Sequence, residues 1–224
     1  MTRSLLRITT LAATIAALTA CTYKGGDIGD PFERKAHWFS FVSGDDIKAT
    51  CDASQPDRSR VIYNAIYDEQ LRIYEWDSVK RRLLVRVVTS GSVSTIRGDD
   101  LAAPWRAEEE KVQLDPKTYD RLEAAMADSG AFGPPATGLE LPSRSYFWTS
   151  ATCHQGRYHF TAWRYPSAGF EALAFPGLLQ SLDPSGIAVR TAAPVPIDPV
   201  WEERNRNGKV MAFSMRVGQD GLVR

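Results

Sequence analysis

The stretch SATCHQGRYHFTAW (150–163) holds two apolar runs with one tight-turn pair between them, Gln155-Gly156. A two-residue turn at that point fixes a β-hairpin over roughly 145–164 and sets its register. His154 then faces Arg157, Cys153 faces Tyr158, Thr152 faces His159 and Trp148 faces Trp163. Side chains alternate along a strand and cross-strand partners share a face, so every residue of the hairpin is assigned to a side. Phe147, Ala151, Cys153, Tyr158, Phe160 and Ala162 make one face, which reads as core. Trp148, Ser150, Thr152, His154, Arg157, His159, Thr161 and Trp163 make the other, polar with aromatics.

A second β signal precedes it. RVIYNAIY (60–67), LRIYEWD (71–77) and RRLLVRVV (81–88) are rich in β-branched and aromatic residues and read as an antiparallel meander, with EEEKVQL (108–114) as a further strand. Residues 89–107 read as a long loop. Asp115-Pro116 opens the clearest helix: an aspartate cap, proline in the first turn, and Tyr119, Leu122, Ala125 and Met126 at helical spacing, stopped by Gly130. A shorter helix is expected at Asp45–Cys51 with Ser43 as cap, and another around Gly169–Leu182, split or kinked by Pro176. The proline-rich stretch from Thr191 reads as an extended crossing, followed by a strand at 209–217 after the turn pair Asn207-Gly208. Strands then a helix, twice over, give an α+β fold: an antiparallel sheet built from hairpins, two or three helices and a single domain.

The amino terminus, MTRSLLRITTLAATIAALTAC, has Arg3 and Arg7 before an apolar run, and no acid precedes Asp27. This is the pattern of a secretory signal, too short for an ordinary membrane span. Leu18-Thr19-Ala20-Cys21 resembles the lipobox of bacterial lipoproteins. That resemblance implies cleavage before Cys21 and acylation of Cys21, so that residues 1–20 are a signal peptide and 21–44 a lipid-anchored tether broken by Gly25, Gly26, Gly29 and Pro31. Trp38, Phe39 and Phe41 would make its first contacts with a core at 45–190, and 191–224 would follow as the crossing and final strand or hairpin. Thr22 after the cysteine, not aspartate, implies the periplasmic face of the outer membrane rather than the inner membrane.

With Cys21 acylated, Cys51 and Cys153 remain. Two cysteines in an oxidising compartment are expected to pair, closing a loop that the chain-entropy model values at about 4.7 kcal/mol. The leader takes two arginines and no acids, leaving a slightly acidic chain that gives no reason to expect nucleic acid as a partner. No cofactor is implied.

The histidines do not make a metal site on paper. Cys153 points away from His154 and His159, His37 lies in the expected tether, and neither HExxH nor CxxC occurs. No GxSxG marks a nucleophile, and Ser43-Gly44 and Ser90-Gly91-Ser92 lack that pattern. The acidic groups Asp45-Asp46, Asp99-Asp100 and Glu108-Glu109-Glu110 read as a helix start, a turn and a solvated edge. What remains is the outer hairpin face, where Trp148, His154, Arg157, His159 and Trp163 form a candidate surface for an envelope protein or a glycan. The alternative is that a helix covers it. The role expected is a non-catalytic accessory or binding component of the envelope. An envelope hydrolase without a readable motif and a purely structural lipoprotein are the rival readings.

Overall fold

A computed structural model describes residues 22–90, 105–210 and 212–223. Residues 1–21, with Cys21, and most of 89–107, with Asp99-Asp100, lie outside the described residues. The described chain folds as α1 (Pro31–Val42), α2 (Asp45–Thr50), β1 (Arg58–Ala65), β2 (Gln70–Asp77), β3 (Arg82–Thr89), β4 (Glu108–Gln113), α3 (Pro116–Asp128), β5 (Glu140–Pro142), β6 (Tyr146–His154), β7 (Arg157–Arg164), α4 (Ala168–Glu171), α5 (Phe175–Ser181), α6 (Pro199–Arg206), β8 (Ser214–Val217) and β9 (Leu222–Val223). The architecture is α+β in one domain. It has six described helices where the sequence suggests two or three.

Six strands form one antiparallel sheet in the order β4-β3-β2-β1-β6-β7. Its central strands are buried almost throughout because both faces are covered. On one face Ile62, Ile73, Phe147, Ala151 and Phe160 pack under α1, α2 and a small sheet of β5, β8 and β9. On the other, Val61, Tyr74, Val85 and Trp148 pack under α3, α5 and the extended segment that follows. The hairpin has the expected register, His154↔Arg157 through Trp148↔Trp163. Gln155 and Gly156 both take positive φ (50° and 73°), as a two-residue hairpin turn requires.

Buried strands that carry arginines must neutralise them. Arg60 on β1 is buried beneath α1 and α2 and is held by Asp46 (2.7 and 2.9 Å), Glu75 (2.8 Å) and the Phe41 carbonyl (2.8 Å). Arg72 on β2 points to the opposite face and pairs with Asp183, while also donating to the Ile187 carbonyl. Gln70 donates to the Ala188 carbonyl and accepts from the Arg190 N–H, both at 2.9 Å. These polar contacts strap residues 183–190 across the sheet.

Three expectations need correction. Residues 23–42 are not a tether: Tyr23 and Ile28 are buried, and α1 puts Trp38, Phe41 and Val42 into the core. Asp30 caps α1 by accepting from the Phe32 and Glu33 N–H groups, so Pro31 starts a helix instead of breaking one. At the far end, Asn207-Gly208 stops α6 and is not a hairpin turn; the strand after it spans only Ser214–Val217. That strand pairs with β5 and places Met215 and Val217 in the core, so residues 191–224 complete the domain. Finally, Ser43 does not cap α2: Gly44 occupies the cap, and Ser43 Oγ accepts from the Leu222 N–H (3.1 Å). Pro176 sits in the first turn of α5 and separates it from α4, the split expected.

Candidate functional site

The outer hairpin face divides into a closed half and an open half. Trp148 is 2% exposed. Its ring stacks on Tyr63 (4.5 Å) and meets the edge of Phe175 (5.3 Å). Trp163 is half-buried against the same Phe175 (5.5 Å). The helix α5 therefore covers the aromatic half, and the five candidate residues do not form one binding face. Trp148 is a core residue.

The open half lies at the hairpin turn. The His154 ring stacks face to face on Phe132 (4.0 Å, 5° between planes). Its Nδ1 lies 3.1 Å from Asp57 Oδ2 and 3.8 Å from Glu123 Oε2, as ion-pair contacts without hydrogen-bond geometry. Glu123, from α3, accepts from Trp76 Nε1 at 2.7 Å. Burial pushes the Glu123 carboxyl above its ordinary range, partly offset by the Trp76 hydrogen bond and the nearby His154. Asp57 also accepts from the Gln155 N–H (2.8 Å), so the cluster locks the hairpin turn to the approach to β1 and to α3. Both carboxylates converge on one imidazole nitrogen. Among the described residues no group of three or more His, Cys, Asp or Glu is placed to hold a metal ion.

Arg157 and His159 follow the turn on β7, and the His159 ring meets Phe132 edge-on at 6.1 Å. With Phe132, Pro134, Tyr158 and Asp220 they line a cleft of about 470 Å³ along β7, the edge strand of the large sheet. Burial, Arg157 and His154, in that order, lower the His159 pKa and favour the neutral imidazole. The cleft thus offers a guanidinium, a neutral imidazole and an aromatic ring together, a set able to hydrogen-bond and stack. His154, stacked on Phe132, does not line this cleft. Phe132, Asp57, Glu123 and Asp220 were not visible from sequence as parts of one site, because they come from four separate segments with no shared period.

On the opposite face Cys153 pairs with Cys51, across 102 residues, with a Cα–Cα distance of 5.5 Å. The bridge joins the end of α2 to β6. A second cleft, about 440 Å³, lies beside α1 and is lined by Lys35, Tyr67, Asp68, Trp105, Arg204 and Lys209 among others. It carries a surplus of basic side chains. No helix among the described residues is long and apolar enough to cross a membrane. No family model, no curated protein and no solved structure matches this chain.

Proposed function

We propose that this chain is an acylated envelope lipoprotein, anchored through Cys21 at the periplasmic face of the outer membrane, and that its role is that of a non-catalytic accessory or binding component. The observation that carries the reading is the cysteine accounting. Of three cysteines, Cys51 and Cys153 are consumed by a disulfide inside the fold. A structural disulfide suits an oxidising compartment. Cys21 is then left over at the end of a basic, apolar leader, in the lipobox-like Leu18-Thr19-Ala20-Cys21. The Arg157–His159 cleft is the binding surface best suited to that role, for an envelope protein or a glycan.

Cells fed an alkyne-palmitate should label the wild-type protein, and mass spectrometry should place the acyl groups on an N-terminal Cys21. The Cys21→Ser variant should be unlabelled and should leave the membrane fraction. A wild-type protein that is cleaved and unacylated refutes the anchor. The rival hydrolase would draw on His154 between its two carboxylates. Labelling of the purified protein by a fluorophosphonate probe, lost in His154→Ala, would decide for that rival.

A further inference from the structure

We infer that α1 is a membrane-interface helix and that the domain lies flush on the bilayer instead of hanging from a spacer; the inference rests on acylation of Cys21. Tyr23 is already fixed in the fold. Its N–H donates to Ser40 Oγ (2.9 Å), its hydroxyl to the Gly26 carbonyl (2.6 Å), and its ring meets Phe41 edge-on at 4.9 Å. Cys21 is two residues upstream, and two extended residues span at most about 7 Å. An acyl chain in the bilayer therefore holds the Tyr23–Ser40 region against the headgroups.

The helix at that position is suited to the contact. Its inner side carries Arg34, Trp38, Phe41 and Val42. Its exposed residues are Phe32, Lys35, Ala36 and Phe39, at spacings of three, four and seven, which is one stripe of a helix. Phe32 is 74% exposed and Phe39 is 39% exposed. Exposed phenylalanines flanking a lysine on one stripe are the composition of a helix lying in an interface. The acid of this helix, Glu33, is turned away toward Gly26 and His37 (3.6 Å to the imidazole).

Neighbouring groups extend the surface. Trp105 is 40% exposed, and its carbonyl is held by Arg34 at 2.7 Å, beside the start of α1. Interfaces favour indole rings at headgroup depth. Lys35 and Trp105 share their cleft with Arg204 and Lys209, and Lys24 is exposed one residue after Tyr23. These cations complement anionic headgroups. The occupant of the stripe is thus the bilayer that holds the anchor.

The test uses the acylated full-length mature protein in vesicles of phosphatidylethanolamine and phosphatidylglycerol, with acylation verified by mass spectrometry in every sample. The photoreactive residue p-benzoylphenylalanine is placed at position 32, at 36, or at 79. Val79 is as exposed as Phe32, at 74%, but lies in the β2–β3 turn, at the far end of the sheet from the cleft beside α1. Lipid adducts are expected from 32 and 36 and not from 79. Adding Phe32→Glu should reduce the adduct at 36 severalfold while acylation is unchanged. Equal lipid adducts at all three positions mean a loosely tethered domain and overturn the proposal. Adducts from 32 to a second copy of the chain, or to another protein, also overturn it and assign the stripe to that partner. An unacylated mature protein removes the anchor reading itself, and the mass spectrum distinguishes that failure from the others.

Discussion

Arg60 shows how one buried residue joins three parts of the fold. Its guanidinium lies over the Phe41 ring at 3.7 Å and is shared between Asp46 of α2 and Glu75 of β2. Glu75 in turn holds Arg86 of β3 at 2.6 Å, and Arg86 holds Glu109 of β4 at 2.9 Å. Arg60→Met keeps much of the volume but leaves two carboxylates short of their counter-charge. Removing one partner from a buried pair costs about 3–5 kcal/mol, and chemical denaturation should show a loss of that size. A loss well under 1 kcal/mol would mean that Arg58 and Arg86 suffice. The same cluster sets a pH dependence. Burial would raise the Glu75 carboxyl, but the Arg60 and Arg86 charges outweigh it, so its folded pKa lies below the ordinary 4.5. Asp46 is lowered likewise, its burial outweighed by the Arg60 hydrogen bond and charge. Depressed carboxyls bind fewer protons folded than unfolded. Their contribution is therefore complete above the ordinary carboxylate range and is lost as pH falls through the depressed values. Glu75→Gln should flatten the acid limb of the stability curve below about pH 4.5. An unchanged limb would place the acid sensitivity elsewhere.

Three helices of this chain begin the same way, at Asp30-Pro31, Asp115-Pro116 and Asp198-Pro199, with the aspartate accepting backbone N–H groups of the first turn. Only the second is recognisable by periodicity, because Leu122 and Met126 repeat toward the core over 13 residues. In α1 the glycines just upstream suggest a tether, and Arg34 and Ser40 interrupt the inner stripe. In α6 no residue is buried, so no apolar stripe exists to be read. The strands were legible for the opposite reason: β-branched and aromatic runs of eight residues have few other uses. The hairpin register was legible because one turn pair was available. Which half of the outer face stays open was not, because the cover comes from Phe175, beyond the hairpin, and a two-residue period says nothing of what packs on a face. The two caps should behave differently when removed. Asp115→Ala should lower the global unfolding midpoint, since α3 carries core residues. Asp198→Ala should leave the global transition in place and raise amide exchange only across 200–206. Equal shifts of the global midpoint would show that α6 is coupled to the core after all.

At the scale of the whole molecule, two layers of helices clasp one sheet, and they are attached by different means. Arg72, Gln70 and Tyr63 hold the strap on the α3–α5 side through hydrogen bonds to its backbone at Ile187, Ala188 and Arg190. On the α1–α2 side a covalent link adds to the Arg60–Asp46 pair: Cys51, at the end of α2, is bridged to Cys153 of β6. That bridge encloses β1 to β5, α3 and most of β6 within its 102-residue separation, so it restricts the unfolded chain strongly while the folded sheet retains its own pairings. Cys51→Ala with Cys153→Ala should therefore keep the fold and lower its stability by about 2–4 kcal/mol. Native-state exchange should rise first in α2, a helix of six residues with only Ile47 buried, and not in β1 or β6. Because Asp46 lies in that helix, a frayed α2 would also weaken its grip on Arg60, so the double variant and Arg60→Met should be less than additive when combined. Strict additivity would mean that the bridge acts on the unfolded chain alone, with no role in seating α2 over the buried arginine.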